Sequence, residues 1–172
     1  MRHVVIVGAG NAALCAAIAA AEAGARVTML ERAPETARGG NSAFTGGCFR
    51  TVYDGVEDIA RLVPDLTEEE RDSSDFGRYD AEKFYLDLCE LSGYRADPLL
   101  IDILVQQSLP TLSWMRDQGV RFLPAYGRQS FKVDGRNIFW GGLTVGTAGG
   151  GVGLVDALFP PAEAPGGTIP YD

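Results

Sequence analysis

Gly8, Gly10, Ala13 and Glu31 are the residues whose type and spacing bear most directly on chemistry. Small residues at these three positions, between an apolar run at residues 4–7 and an alanine-rich segment, suit the capture of a pyrophosphate. Gly8 permits the tight turn, and Gly10 lets the backbone approach phosphate oxygens. Ala13 stands where a third glycine is usual and is still small enough for close helix–strand packing. Amides at the head of the following helix, around Ala9, Gly10, Asn11 and Ala12, then point at the phosphates, where the helix dipole favours negative charge. Glu31 follows a second apolar run at residues 27–30, about twenty residues past the glycines, as a dinucleotide fingerprint requires. A carboxylate there accepts hydrogen bonds from ribose hydroxyls and repels a 2′-phosphate, which selects FAD or NAD over NADP. Arg32 follows directly and sits at the surface or near the adenosine.

The elements that must position these residues are a strand, a helix and a second strand. Residues 4–7 are wholly apolar, which suits a parallel strand buried on both faces. The fold class expected is α/β, a Rossmann-like domain of the glutathione-reductase type whose βαβ unit rests on a parallel sheet. A secretory signal is the competing account of an apolar, alanine-rich start. Gly8, Gly10 and Asn11 interrupt what would be its core, and Gly10, Ala13, Ala17 and Ala21 keep near-helical spacing that a signal has no reason to hold.

A length of 172 residues suits one domain with a real core, and the mixed charge is that of a globular protein. The formal charge of −8 disfavours nucleic acid or an anionic membrane as a partner, although a local basic pocket can still take an anionic substrate. Cys15, Cys48 and Cys89 are widely spaced and His3 is the single histidine, so neither a metal site nor a disulfide framework is expected. Cys15 and Cys89 read as core residues of helices, and Cys48 lies in a glycine-rich loop. No run is long and apolar enough to span a bilayer, and a reducing cytoplasm fits best.

The loop at residues 38–47 brackets Asn41, Ser42 and Thr45 with two glycine pairs. Placed just after a ribose-binding glutamate, it reads as a second contact with the same cofactor, its glycines letting the backbone pass close and present amides. Residues 51–79 look irregular and polar, apart from a capped helix start at Thr67 with Glu70 three residues on. Residues 80–91 carry Phe84, Tyr85, Leu88 and Leu91 on one helical face. A longer helix opens at Asp97 and Pro98, with Leu99, Leu100, Ile103 and Leu104 in its pattern. Pro110 should kink or restart it, and Gly119 should end it. A short strand is expected at 120–123 and a hairpin-like excursion at 131–140. The glycines at 149–153 lead into a helix at 154–159 that Pro160 and Pro161 should stop, and a further strand begins at Thr168.

These runs together resemble a known group: Gly8 through Ala17, then Glu31, then Arg-Gly-Gly-Asn-Ser at 38–42, then the stretch from Trp114 to Phe122. They resemble the FAD-dependent tricarballylate dehydrogenases, within the fumarate reductase, succinate dehydrogenase and 3-ketosteroid dehydrogenase flavoprotein superfamily. The first motif is generic to flavoproteins, whereas the Arg-Gly-Gly-Asn-Ser loop at this distance from Glu31 is more specific. The resemblance implies noncovalent FAD, because covalent members attach the flavin through a histidine in this loop and residues 39–47 contain none. It places Gly8, Ala9, Gly10, Asn11 and Ala12 on the pyrophosphate and Glu31 on the ribose with Arg32 beside it. Gly39, Gly40, Asn41, Ser42 and Gly46 would line the flavin end, and Arg38, which opens that loop, counts with them as cofactor-binding.

The domain organisation expected from the resemblance is a partial FAD-binding domain. Residues 1–50 form the βαβ core and flavin loop, 51–145 a helical insertion, and 146–172 a helix and the start of a third strand. Family members are considerably longer, so the chain reads as an amino-terminal portion, an expressed fragment or a truncated reading frame, without the capping domain. The implied activity is dehydrogenation of a polycarboxylate such as tricarballylate, with hydride passing to flavin N5. The implied partners are a small carboxylate substrate and, in some members, an electron-accepting protein. No catalytic residue is assigned; Arg38, Arg50 and Arg116 are basic but read as solvated. Two alternatives stand beside this: a catalytically incomplete FAD-binding module, and an NAD-dependent Rossmann enzyme of another class.

Overall fold

The computed structural model describes residues 1–164 and 167–170. Strand β1 (His3–Val7) leads through a glycine turn into helix α1 (Asn11–Glu22), and strand β2 (Arg26–Leu30) runs parallel to β1 with Val4 opposite Val27 and Ile6 opposite Met29. Val27, Met29, Leu14, Ala17 and Ile18 are buried, so helix and strands share one apolar layer. The opposite face differs from the expectation of a strand buried on both sides: Val5 is 56% and Val7 83% exposed. Residues of a strand alternate between faces, and only the face carrying Val4, Ile6, Val27 and Met29 is packed against helix. After β2 the chain makes a single 3-10 turn (Glu35–Ala37) and then a short helix, α2 (Gly40–Ala43), inside the glycine-rich loop.

The chain then enters a second compact unit, comprising Cys48–Arg116 and Phe122–Gly146. Cys48 lies in a short strand, β3 (Cys48–Phe49), rather than in a loop, and β4 (Tyr53–Asp54) follows. Residues expected to be irregular hold helix α3 (Val56–Leu62), which buries Ile59, Ala60 and Leu62 and carries Glu57 and Asp58 in its first turn. Helix α4 (Glu68–Asp72) has a full capping box: Thr67 Oγ1 accepts from the Glu70 amide at 3.2 Å, and the Glu70 carboxylate accepts from the Thr67 amide at 3.0 Å. Strands β5 (Ser74–Asp75) and β6 (Arg78–Tyr79) precede helix α5 (Ala81–Leu91), whose N-cap Asp80 accepts from the Lys83 amide. Phe84 and Cys89 face inward in α5, whereas Leu91 is 81% exposed and not part of the core.

Helix α6 (Pro98–Asp117) is continuous through Pro110. Proline removes one helical N–H, which leaves the Gln106 carbonyl without its usual donor, and both residues are exposed so that solvent can satisfy it. The buried face of α6 is Ile101, Val105, Ser108, Leu112 and Met115; Leu99, Leu100, Ile103 and Leu104 point outward. Strand β7 (Phe122–Pro124) and the short helix α7 (Tyr126–Gln129) lead to an antiparallel hairpin of β8 (Ser130–Val133) and β9 (Arg136–Phe139). Asp134 and Gly135 both have positive φ, which matches the right-handed twist of the hairpin strands. Strand β10 (Val145–Thr147) pairs with β3, and the order β3–β10–β7 makes one small sheet while β5–β9–β8 makes another. The segment expected to be a helical insertion is therefore a mixture of helices and short strands.

The first unit, Met1–Gly47 with Asp117–Arg121 and the stretch from Thr147, is completed by helix α8 (Gly150–Glu163). This helix starts within the glycine run and continues through Pro160 and Pro161, contrary to the expected early stop. Pro160 lies in the last turn and its i−4 residue Asp156 is exposed, so the lost hydrogen bond again falls on a solvated carbonyl. Leu154, Val155, Leu158 and Phe159 are buried and pack α8 beside α1 and α2. Strand β11 (Gly167–Thr168) then pairs in parallel with β2, giving the order β1–β2–β11. The expected third strand extends to residues 171 and 172, which lie outside the described residues. Among the described residues no helix is long and apolar enough to cross a membrane.

Candidate cofactor site

The glycine turn is built as the residue types require. Gly8 has φ +103°, a region that L side chains rarely occupy, and its amide donates to the Leu30 carbonyl at 2.7 Å. That bond ties the end of β1 to the end of β2 and sets Glu31 beside the turn. The Glu31 carboxylate accepts from the Ala33 amide at 2.7 Å through Oε1, which fixes its direction and leaves its second oxygen for another donor. Arg32 is exposed.

Gly10 caps α1 in extended backbone, with φ −82° and ψ 178°, so its need for glycine is one of space and not of dihedral. A Cβ there would lie 3.2 Å from Ser42 Oγ and 3.5 Å from the Gly39 carbonyl oxygen. The Asn11 amide donates to Ser42 Oγ at 3.0 Å. The loop at 38–47 therefore folds onto the head of α1, and the two pieces of sequence form one surface. Cys15 donates from Sγ to Asn11 Oδ1 at 3.6 Å; burial pushes its thiol up to about 11, which keeps it neutral and unreactive near pH 7.

The far side of the loop is fastened to the head of α8. The Gly151 amide donates to the Thr45 carbonyl at 2.9 Å, and Thr147 N donates to the Gly47 carbonyl at 3.0 Å. Thr45 Oγ1 donates to the Ser42 carbonyl at 2.9 Å and accepts from the Gly47 amide at 3.2 Å. A Cβ on Gly151 would overlap the Ser42 carbonyl oxygen, and one on Gly47 would overlap Thr147 Oγ1. Thr45 and the 149–151 turn are legible in the sequence, whereas Thr147 and Phe159 are not; the glycine run two residues after Thr147 is the signal available for the former.

The structure brings Gly8, Ala9, Gly10, Asn11, Ala12 and Glu31 together with Gly39 and Ser42. Gly40, Asn41 and Gly46 lie exposed on the same loop, as does Phe44, which is 90% exposed. Arg38, expected to be solvated, is instead three-quarters covered and lies on α8, with its guanidinium carbon 3.7 Å from the centroid of the Phe159 ring. The donor set fits an adenine dinucleotide: a helix head with no side-chain cap for phosphate, a cradle that a Cβ would fill, and an oriented carboxylate for the ribose. Among the described residues no cluster of His, Cys, Asp and Glu could hold a metal ion.

Comparison with known proteins agrees with this geometry. A family model described as FAD binding domain matches residues 3–150. Vinyl phenol reductase of Lactiplantibacillus plantarum is 31% identical over 121 residues, covering 69% of this chain and 20% of that protein. The 3-oxo-5-alpha-steroid 4-dehydrogenase of Comamonas testosteroni is 33% identical over 145 residues, 83% of this chain and 24% of that protein. Of solved structures, E. coli quinol fumarate reductase FrdA superposes with a TM-score of 0.66 at 17% identity, covering 98% of this chain and 26% of that one. The Sdh1 complex of Mycobacterium smegmatis gives 0.60 at 14% identity, covering 99% and 28%. These two structures bear on fold alone. The chain spans about a quarter or less of the length of the curated relatives it matches.

Proposed function

The chain belongs to the FAD binding domain family, and we propose that it is the cofactor-holding part of an FAD-dependent oxidoreductase acting on a carbon–carbon bond. The observation that carries this reading is the Ser42–Asn11 hydrogen bond, which joins the loop to the pyrophosphate turn. That junction extends the binding surface from the glycine turn onto the loop, where the resemblance puts the flavin end. The residues of this chain bind and orient: α1 amides and Gly10 receive the pyrophosphate, Glu31 the ribose, and Gly39, Gly40, Asn41, Ser42 and Gly46 the flavin end. Bound flavin supplies a hydride acceptor at N5. The resemblance implies noncovalent attachment, since its covalent members use a histidine of this loop and residues 39–47 contain none.

For the substrate, the family resemblance carried by the Arg-Gly-Gly-Asn-Ser loop and the Trp114 to Phe122 stretch implies a polycarboxylate such as tricarballylate, and an electron-accepting partner protein fits the same class. A second reading, a phenolic or steroidal substrate, is favoured by the names of the two curated relatives. The test is to titrate the purified chain with FAD, NAD and NADP, then add tricarballylate or a 3-oxo steroid anaerobically and follow bleaching of the flavin band. Uptake of FAD, its full release on denaturation, and bleaching by tricarballylate alone are the expected results. Tight binding of NAD without FAD would overturn the cofactor reading, and bleaching by the steroid alone would replace the substrate reading.

A further inference from the structure

Arg38 is the single cation of the loop at 38–47, and its side chain is spent on helix α8. The guanidinium lies over the face of Phe159, 3.7 Å from the ring centroid, while Nη1 donates to Glu163 Oε1 at 3.2 Å and stands 3.7 Å from Glu35 Oε1. Phe159 is buried, and the Arg38 side chain is three-quarters covered. A planar cation held by a ring on its face and a carboxylate on its edge has one direction in which to lie.

The next residue turns this into geometry at the site. Gly39 is buried at φ +101°, and a Cβ on it would sit 3.1 Å from Val155 Cγ2 of α8 and 3.3 Å from Ala43 Cβ. Its carbonyl oxygen is the atom 3.5 Å from the Cβ position of Gly10, and three residues later Ser42 accepts from the Asn11 amide. From Arg38 to Ser42 the chain thus runs from an anchor on α8 directly to the pyrophosphate turn.

We propose that Arg38 is a positioning residue for the cofactor: it holds the loop closed against the glycine turn by docking on Phe159 and Glu163, without itself touching the cofactor. This rests on the reading of the site as an FAD cradle. A loop without its anchor spends part of its time open, and apparent affinity falls in proportion to the closed fraction.

The experiment titrates the wild-type chain and the variants Arg38→Ala, Arg38→Lys and Phe159→Leu with FAD and with ADP, which reaches the glycine turn and Glu31 but has no flavin end. Arg38→Ala should weaken FAD roughly tenfold while ADP changes by less than about threefold. Arg38→Lys, which keeps the charge for Glu163 but loses the planar stack, should recover only part of the loss. Hydrogen exchange of the unliganded variant should quicken at 39–47 and at Asn11, with β1 and β2 unchanged, which keeps the test decisive even where binding is too weak to titrate. Unchanged FAD affinity in Arg38→Ala overturns the proposal, as does an equal loss of FAD and ADP with faster exchange throughout the unit. A wild-type chain that takes up ADP but no FAD instead overturns the FAD reading, and this inference with it.

Discussion

A methyl group placed on Gly10 separates the work of the two turn glycines. In Gly10→Ala the backbone pays nothing for the change, because φ −82° and ψ 178° suit alanine. The cost is local: the new Cβ lies 3.2 Å from Ser42 Oγ, so the hydroxyl must back away and loosen its bond to the Asn11 amide. Losing that bond costs about 0.5–1.5 kcal/mol. The methyl also stands where a pyrophosphate must come within reach of the backbone, and one charge-assisted phosphate bond lost is worth about 1.5–3 kcal/mol. Together these give about 2–4.5 kcal/mol, or roughly 30- to 2,000-fold in the dissociation constant. Gly8→Ala acts differently. Nothing lies within 4 Å of its Cβ, but φ is +103°, so about 1–2 kcal/mol of backbone strain falls on folding stability even without ligand. FAD titration beside thermal melts of the unliganded chain reads both effects. Unchanged FAD affinity in Gly10→Ala, with a normal melting temperature, would refute the assignment of this turn to the pyrophosphate.

Three further outcomes follow from single features. Glu31→Gln keeps an acceptor for the Ala33 amide but removes the charge that strengthens a ribose hydrogen bond, so FAD affinity should fall by about 1–2 kcal/mol, measured by equilibrium titration. Thr67→Ala opens the capping box of α4 and should cost about 1 kcal/mol in a urea melt, with cofactor binding unaffected. Burial pushes Tyr53 and Tyr79 each up to about 12 from an ordinary 10.0, and Cys15 up to about 11 from 9.0. Groups whose folded pKa is raised contribute fully below the unfolded value and lose that contribution as pH climbs through the folded one. Stability should therefore hold to about pH 9 and decline between about pH 9 and 12, which melts at spaced alkaline pH values will check.

The βαβ core was legible because each of its residues does a job set by its own type: Gly8 takes a positive φ, Val27 and Met29 fill the packed face, and Glu31 closes β2. A proline's cost is legible in sequence but its surroundings are not, which is why the stop expected at Pro160 and Pro161 does not occur. Pro110 and Pro160 sit in unbroken helices where the carbonyls they orphan, on Gln106 and Asp156, belong to exposed residues. Helix α3 leaves no sequence signature because it spends only seven residues, too few for a period to show, and its start at Gly55 rests on φ +88° rather than on a side-chain cap. Leu99, Leu100 and Leu104 belong to the apolar pattern of the helix yet point outward, because apolar type says which residues favour burial and not which ones find a neighbour.

The glycines around the loop teach the sharper lesson. Read from sequence, the pairs at 39–40 and 46–47 and the run at 149–151 are places where backbone comes close to a ligand. In the structure, much of that closeness is between protein and protein: Gly47 lies against Thr147 and Gly150, Gly151 against Ser42 and Thr45, and Gly39 against Val155. The loop is wedged between the heads of α1 and α8 by close contacts at Gly39, Gly47 and Gly151, with Arg38 as its side-chain anchor. Preformed in this way, it spends little conformational entropy when a ligand arrives. The same wedge couples distant substitutions to binding, since a methyl on Gly151 displaces the Ser42 carbonyl and, through the same residue, the hydroxyl that holds the Asn11 amide. Affinity for the cofactor in this chain is thus set as much by how three backbone segments pack as by the atoms that meet the ligand.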